Sequence, residues 1–157
     1  MVKLKSASRF FSIEMPIILT QTDTTVGFLS QDAQKLYDIK SRPPSKPFIK
    51  VYKDFKSFKD DGKRVPKKRK KLVRRSKKTT FILGDFSFRV AKAPLNSQLL
   101  REIPWFYSTS ANRSGERFER AFCESKADII IEDISSLRES SASRLLKINA
   151  KKWRRLR

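Results

Sequence analysis

Seven short apolar segments alternate along the chain with segments whose apolar residues recur at helical spacing. Pro16 to Gln21 is a continuous apolar run, which is typical of a strand buried on both faces. Residues 79–83 and 86–90 flank Gly84-Asp85, and Phe86, Phe88 and Val90 alternate with polar residues. This pattern predicts a β-hairpin with Gly-Asp in the turn. Further strands are predicted at residues 48–52, 105–109, 128–132 and 144–148.

Helical spacing is clearest over residues 32–40, where Ala33, Leu36 and Tyr37 form one apolar face and Ser30 or Asp32 can serve as N-cap. Further helices are predicted at 54–61, after Pro66, after Pro94 and over 116–125. We therefore expect an α/β fold in a single domain, residues 15–150, with a twisted mixed sheet flanked by helices. Residues 1–14 are expected to be a loose extension, and residues 151–157 a basic, Trp-bearing tail.

The composition limits the kinds of catalytic and metal site that the chain can form. The 157 residues contain one cysteine and no histidine. This excludes an intramolecular disulfide, a Cys-based zinc site and the Ser-His-Asp and Cys-His nucleophilic schemes. No apolar run reaches the roughly 20 residues that span a bilayer, so we expect a cytoplasmic protein without membrane contact.

The chain is strongly basic, with 37 Lys and Arg against 16 Asp and Glu and a net charge of +21. Such a charge favours polyanionic partners, RNA or phosphorylated substrates. Eleven of the sixteen residues from Lys63 to Lys78 are Lys or Arg, and none is acidic. A solvated basic helix is one interpretation, but this density favours sequence-independent contact with a nucleic-acid backbone. The RNA-binding candidates are Lys67, Lys68, Arg69, Lys70, Lys71, Arg74 and Arg75.

Residues 108–115 read Ser-Thr-Ser-Ala-Asn-Arg-Ser-Gly, the densest run of small hydroxyl and amide groups in the chain. A strand that ends in such residues before a helix can present N–H groups and short polar side chains to an anion. The local alternative is an N-cap and a turn.

Two further stretches suggest a polar pocket, each with a local alternative. Thr22-Asp23-Thr24-Thr25 follows the first strand and precedes Gly27, so its hydroxyls could hold a polar amino acid or a hydrated cation, or could simply form a turn. Lys40-Ser41-Arg42 ends a helix before a proline-rich segment. These two cations could bind a triphosphate, or could interact with the partial negative charge at the helix C-terminus.

These motifs occur in one order: Thr22-Asp23-Thr24, Lys40-x-Arg42, a hairpin from Thr80 to Arg89, and Ser-Thr-Ser-Ala-Asn-x-Ser-Gly at 108–115. Together they resemble the Sua5/YrdC/YciO/YwlC family, whose best-known members are threonylcarbamoyl-AMP synthases of tRNA t6A biosynthesis. The resemblance covers about residues 16–149 and implies a YrdC-like fold. Lys40 and Arg42 fall on the KxR signature of the family, and Ser110 and Asn112 on its SxN signature.

The resemblance implies an enzyme that joins L-threonine, bicarbonate and ATP into threonylcarbamoyl-adenylate and releases pyrophosphate. The implied catalytic residues are Lys40, Arg42, Ser110 and Asn112, and the implied substrate-binding residues are Thr22, Thr24, Thr80, Arg89, Ser108 and Ser143. ATP would be a substrate and would bind together with Mg²⁺. No side chain is assigned as a metal ligand. tRNA or double-stranded RNA and other t6A-pathway proteins are the implied macromolecular partners.

The sequence departs from the family pattern at several positions. The family has Pro and Tyr at the positions of Gln21 and Val26, and Pro-Gly-Pro at the position of Ser76-Lys77-Lys78. Its Arg-x-Pro is replaced by Arg89-Val90-Ala91, and its Ser-Thr pair by Ser143-Arg144. The alternative hypothesis is therefore a non-catalytic protein of the same fold that binds double-stranded RNA or tRNA, or acts in ribosome maturation. We disfavour a third, a carbamoyl-transfer domain of a hydrogenase-maturation protein, because the accompanying zinc-finger and acylphosphatase segments do not occur in the sequence.

Overall fold

The computed structural model describes residues 2–4, 15–41, 43, 45–91, 98–132 and 136–157, and for residues 2–4, 98 and 99 it describes the backbone. The strands are β1 Val2–Leu4, β2 Ile18–Gln21, β3 Val26–Ser30, β4 Ile49–Tyr52, β5 Thr79–Leu83, β6 Phe86–Val90, β7 Trp105–Ser110, β8 Ile129–Ile131, β9 Arg144–Ile148 and β10 Trp153–Arg155. The helices are α1 Ala33–Lys40, α2 Phe55–Asp60, α3 Lys70–Arg75, α4 Gln98–Glu102 and α5 Arg120–Lys126, and a 3₁₀ turn, Lys67–Arg69, leads into α3. This mixture confirms the predicted α/β class.

The chain divides into two compact units. The first unit comprises Met1–Phe48 and Tyr107–Ser141, and the second comprises Ile49–Phe106 and Ala142–Arg157. In the first unit the strand order is β1-β8-β2-β3-β7, to which β7 contributes its residues from Tyr107 onward; β2 and β8 are parallel and the other pairs are antiparallel. In the second unit the order is β4-β6-β5-β9-β10, with β4–β6 and β5–β9 parallel and the other pairs antiparallel. Each unit therefore contains both strand pairings, as predicted for a mixed sheet.

Each unit has its own hydrophobic core. Leu19, Phe28, Leu36, Cys123 and Ile130 are among the buried residues of the first core. Burial raises the pKa of the Cys123 thiol, in keeping with the role of a small core residue. The second core contains the buried side chains Tyr52, Phe58, Val73, Phe81 and Phe88.

The predictions of α1 and of the hairpin agree with the structure. Asp32 caps α1, since its Oδ1 accepts hydrogen bonds from the backbone N–H groups of Gln34 and Lys35 at 2.8 and 3.4 Å. β5 and β6 form the predicted antiparallel hairpin. Gly84 in its turn has φ of +61°, a conformation that glycine adopts without strain. None of the helices in the described residues is long and apolar enough to cross a membrane.

The prediction of a helix over 116–125 is wrong at its start, because α5 begins only at Arg120. The preceding residues are held in turns by side chains: the Asn112 Nδ2 donates to the carbonyl of Glu116, and the Phe118 N–H donates to Glu139 Oε1 at 2.5 Å. Gly115, with φ of +83°, contributes a left-handed backbone. The run 108–115 therefore belongs to a strand and a turn and does not start a helix.

Both chain ends contain strands that the sequence pattern missed. Val2–Leu4 pairs with β8, within the segment expected to be a loose extension, while residues 5–14 lie outside the described residues. At the other end, Asn149 Oδ1 accepts the N–H groups of Lys151 and Lys152 at 2.9 and 2.7 Å. This turn reverses the chain, so the predicted tail forms β10 against β9.

Candidate functional site

The predicted site residues divide between the two units. Thr22, Thr24, Lys40, Ser108, Ser110 and Asn112 lie in the first unit, and Thr80, Arg89 and Ser143 lie in the second. Arg42 lies outside the described residues.

Lys40 is the last residue of α1, and its side chain is only 6% exposed. Its Nζ donates to the carbonyl oxygens of Ser110 and Asn112 at 3.2 and 2.5 Å, and to Asn112 Oδ1 at 2.6 Å. An ammonium group carries three protons, and three oxygens of this loop accept them. The structure therefore brings the KxR lysine into direct contact with the SxN residues.

The side chain of Asn112 has one defined orientation in this network. Its Oδ1 accepts from Lys40 Nζ and, at 2.7 Å, from Ser110 Oγ, while its Nδ2 donates to the Glu116 carbonyl. The amide thus bridges the end of β7 to the following turn. Sequence reasoning did not single out Glu116, because its contribution comes from the backbone and leaves no signal in residue type.

The hydroxyls of Thr22 and Thr24 hold a tight turn between β2 and β3. Thr22 Oγ1 donates to the Thr25 carbonyl at 2.7 Å and lies 3.2 Å from Thr24 Oγ1. A hydroxyl has one proton, so Thr24 is the donor in the contact between the two side chains. The Thr22 Oγ1 also accepts the Thr24 N–H at 3.2 Å. The turn-forming interpretation of this stretch is therefore confirmed, and its predicted role in threonine binding stays a prediction.

Gly27 brings β3 close to β7 beside these motifs. A Cβ at this position would lie 2.9 Å from the Thr109 carbonyl oxygen, 3.1 Å from Thr22 Cγ2 and 3.9 Å from Ser108 Oγ. Since real Cβ atoms do not approach backbone oxygens so closely, glycine permits this packing. Ser108, half-buried in β7, pairs with Leu29 of β3.

An ion-pair network stabilises the segment after the SxN residues. Arg120 contacts Glu124 and Glu132 through its guanidinium, at 2.7 and 2.5 Å. The hydrogen bond from Arg120 lowers the pKa of Glu132 to about 2. The two carboxylates in turn raise the pKa of Arg120. The network ties α5 to the end of β8. None of its three residues was predicted as important, because single charged residues are common on surfaces.

In the second unit, Thr80, Arg89 and Ser143 come together in a buried cluster. The Thr80 and Ser143 hydroxyl oxygens are 2.9 Å apart, and Arg89 Nη2 donates to Thr80 Oγ1 at 3.2 Å. All three side chains are buried, and Arg89 is only 5% exposed. They lie on the face of the sheet opposite to Phe81 and Phe88, because alternate residues of a strand point to opposite faces. The hairpin motif thus places these three predicted residues in one polar group.

A second polar group, which sequence reasoning missed, joins β4 to the end of α2. Asp61 Oδ2 accepts from Lys50 Nζ at 2.8 Å and from the Tyr52 hydroxyl at 2.6 Å. Burial acts to raise the pKa of Asp61, but these hydrogen bonds outweigh it and hold the pKa below its usual value. Lys50 Nζ also lies 3.7 Å from the centre of the Trp105 ring. The group packs around the second core and acts as a structural support.

The basic segment forms the predicted helix, although its first three residues adopt a 3₁₀ turn. Val73 is buried in the second core. The cations Lys67, Lys68, Lys70, Lys71, Arg74 and Arg75 are exposed. Arg69 is half-buried and donates to the carbonyls of Asn149 and Lys151 at 3.1 and 2.9 Å, so it braces the turn before β10.

The family model for Sua5, YciO and YrdC, described as "Telomere recombination", matches residues 16–157. The chain belongs to the Sua5/YciO/YrdC family. A curated relative, the uncharacterized protein MG259 homolog of Mycoplasma pneumoniae, is 30% identical over 98 residues, which are 61% of this chain and 20% of the relative. The chain thus spans about a fifth of the length of that relative.

Solved structures of the same fold include the MTH1692 protein of Methanobacterium thermoautotrophicum, with a TM-score of 0.65 and 19% identity over 90% of this chain and 79% of that one. The P. abyssi Sua5 structure in complex with L-threonine matches with a TM-score of 0.69 and 17% identity, over 90% of this chain and 50% of Sua5. Full-length HypF in a phosphate- and nucleotide-bound form matches with a TM-score of 0.68 and 18% identity, over 90% of this chain and 22% of HypF. These likenesses confirm the YrdC-like fold.

Proposed function

We propose that this family member is a threonylcarbamoyl-AMP synthase-like enzyme, which forms threonylcarbamoyl-adenylate from L-threonine, bicarbonate and ATP for the t6A modification of tRNA. The observation that carries the proposal is the contact of the buried Lys40 ammonium with Ser110 and Asn112. Burying an ammonium group is costly unless its protons are all accepted. A fold that needed only a turn here could use an apolar side chain, so the arrangement favours a functional loop.

The proposed reaction needs positioning more than a protein base. The amino group of threonine combines with bicarbonate, with loss of water, to give a carbamate. A carbamate oxygen then attacks the α-phosphorus of ATP, the bond from that phosphorus to the bridging oxygen breaks, and pyrophosphate leaves. The nucleophile is already anionic, so cations and hydrogen-bond donors that orient it and the phosphates supply the catalysis. Histidine is not required.

Within this proposal Lys40 is a positioning residue. Its three protons are accepted by the Ser110 and Asn112 loop, so it fixes the loop that would contact nucleotide and phosphate. Arg42 is proposed to supply the planar guanidinium that binds phosphate or carbamate oxygens. Thr22, Thr24 and Ser108 of the first unit are proposed to contact threonine and the nucleotide. For Thr80, Arg89 and Ser143 of the second unit, substrate binding stays a prediction.

Mg²⁺ is proposed to enter with ATP, because Mg²⁺ is commonly held by substrate phosphates and water with few protein ligands. Within the described residues, no three His, Cys, Asp or Glu side chains come together as a metal site. The fold matches HypF and Sua5 with similar TM-scores, so the fold does not identify the substrate. The mass of the reaction product does.

The test is mass-spectrometric detection of the adenylate after incubation with L-threonine, ATP, Mg²⁺ and isotopically labelled bicarbonate. We expect a threonylcarbamoyl-adenylate that carries the label, and its loss in Arg42→Ala and Lys40→Ala. Lys126→Ala, which removes an exposed cation at the end of α5, is the matched control and should keep full activity. In Lys40→Ala we also expect faster amide hydrogen exchange over residues 110–116, which identifies action through the loop. A folded wild-type protein that makes no labelled adenylate would contradict the proposal.

A second candidate function is RNA binding, which the exposed cations of α3 and its 3₁₀ turn favour. Counterion release makes such binding weaken steeply with salt. The expected result is an affinity for tRNA or double-stranded RNA that falls by orders of magnitude between 50 and 200 mM salt. An affinity that changed little over this range would exclude contact through the phosphates.

A further inference from the structure

The C-terminal strand β10 presents an exposed aromatic ring on a cationic edge. Trp153 is 51% exposed, although tryptophan is the largest apolar side chain. Five of the seven residues from 151 to 157 are Lys or Arg, and all seven are exposed. From residue 140 to the last residue of the sequence there are seven cations and no acid.

The strand register places Trp153 on the same face as α3. Trp153 pairs with Ile148 and Arg155 pairs with Leu146, and side chains of directly opposed residues lie on one face. Ile148 and Leu146 are buried in the second core, which Val73 of α3 also joins. Trp153 and Arg155 therefore continue, at the sheet edge, the face that α3 covers.

Arg69 joins this edge to the basic segment. Its Nε and Nη2 donate to the carbonyls of Asn149 and Lys151, on either side of the turn between β9 and β10. The turn is also fixed by the Asn149 side chain. Backbone pairing with β9 and the Arg69 brace thus fix the position of β10, which carries Trp153, relative to the segment that carries the cations of α3.

We propose that the second unit binds a single-stranded nucleic acid, with Trp153 stacked on an unpaired base and the cations of α3 and β10 contacting the phosphates. This proposal deepens the second candidate function, RNA binding, and does not depend on the synthase activity. Bases of every kind stack on an exposed aromatic ring, and cations nearby bind the backbone, which is how sequence-tolerant strand binding works. The charge of the edge, with no acid after Glu139, selects a polyanion over an apolar protein partner.

The test compares full-length variants for binding to a 20-nucleotide oligo(U), the matching oligo(dT) and an RNA duplex of the same length. We expect Trp153→Leu to weaken oligo(U) binding about 5- to 150-fold, the range for one lost base stack. Trp153→Phe keeps a ring and should recover much of the affinity. Leu156→Ala, which removes an exposed apolar side chain in the same segment, is the matched control and should bind like the wild type.

The salt dependence separates stacking from charge. Trp153→Leu should leave the slope of log affinity against log salt unchanged, since a lost stack releases no counterion. Oligo(U) should also quench the fluorescence of the wild type, and Trp153→Phe should lose most of this quenching, because Trp105, the other tryptophan, lies under Lys50.

The outcomes distinguish the two hypotheses. Salt-dependent binding that Trp153→Leu does not weaken would overturn the stacking proposal and leave RNA binding intact. Absence of binding to all three probes would overturn both. A preference for oligo(U) over oligo(dT) would identify RNA as the ligand, and equal binding would extend the surface to DNA.

Discussion

The first unit contains 12 Lys and Arg against 11 Asp and Glu, a net charge of +1, whereas the second contains 25 against 5, a net charge of +20. In other respects they are built alike. Each has five strands in a mixed order and its own core. Among the described residues each buries one cation, Lys40 in the first unit and Arg89 in the second. The fold therefore does not require the large positive charge of the second unit. A net charge of this size affects how strongly a protein associates with charged molecules.

The ion pairs formed by Asp and Glu also differ between the two units. In the first unit Glu119, Glu124 and Glu132 pair with arginines. Among the described residues of the second unit, Lys50 and Asp61 form an ion pair that supports the core. Most cations of the second unit are consequently not neutralised by nearby carboxylates, which suits a partner that carries many negative charges.

The largest expected effect comes from removing four positive charges from one unit at a time. Four substitutions in α3 change cations to glutamine: Lys70→Gln, Lys71→Gln, Arg74→Gln and Arg75→Gln. We expect oligo(U) to bind at least about 100-fold more weakly in 50 mM salt, and the salt slope to become shallower by about 3, because each single-strand phosphate contact contributes about 0.7. Fluorescence anisotropy over a salt series measures both.

The control applies the same chemistry to the first unit, at exposed cations: Lys46→Gln, Arg117→Gln, Lys126→Gln and Arg138→Gln. This variant should retain most of the affinity and nearly the same slope. Equal losses in the two variants would show that binding follows total charge, and the contrast between the units would then have no functional meaning.

A smaller effect is expected from the buried cation of the first unit. Lys40→Met keeps the length of the side chain but removes the donor to three oxygens, two of them backbone carbonyls. We expect the free energy of unfolding to fall by about 2 to 3 kcal/mol, because buried acceptors lose a charged donor. Urea denaturation at pH 7 measures the change.

The counterpart in the second unit is Thr80→Val, which removes the hydroxyl between Arg89 and Ser143. Here we expect a loss of about 1.5 kcal/mol, less than for Lys40→Met, because one of the two lost hydrogen bonds is neutral and the other comes from the Arg89 guanidinium. If Lys40→Met were as stable as the wild type, the lysine would not support the loop, and its role as a positioning residue would be refuted.

The smallest effect concerns the acid stability of the first unit. Because Arg120 lowers the pKa of Glu132 to about 2 from an ordinary 4.5, the ion pair stabilises the folded state above pH 4.5, and this stabilisation disappears as the pH falls towards 2. Glu132→Gln should be less stable than the wild type by about 1 kcal/mol or less at pH 7, since the pair is partly exposed.

The difference between the two proteins should shrink between pH 4.5 and pH 2, as measured by urea denaturation at several pH values. Asp85→Asn, which removes one negative charge from the exposed hairpin turn, is the control for net charge. A constant difference down to pH 2 would mean that the pair with Arg120 does not stabilise the fold.

The local pattern was sufficient for elements whose signals lie within a few residues. The hairpin at Gly84-Asp85, the strand predicted over residues 16–21 and one of the two predicted caps, Asp32, agree with the structure, because caps, turns and apolar runs act locally. The family, too, could be recognised from Lys40, Ser110 and Asn112. The start of α5 could not be predicted, because the Phe118 N–H bonds to Glu139, which lies 21 residues away.

The sequence by itself determined the α/β class, the family and the concentration of cations between Lys63 and Lys78. Only the tertiary structure decided what these groups contact, since hydrogen bonds across 70 or more residues leave no local signal. It placed Lys40, a predicted phosphate ligand, against the carbonyl and amide oxygens of the SxN loop, and Arg69, a predicted RNA contact, against the turn before β10. It also made a strand from the basic tail, because an asparagine turn and pairing with β9 outweigh the repulsion between neighbouring cations.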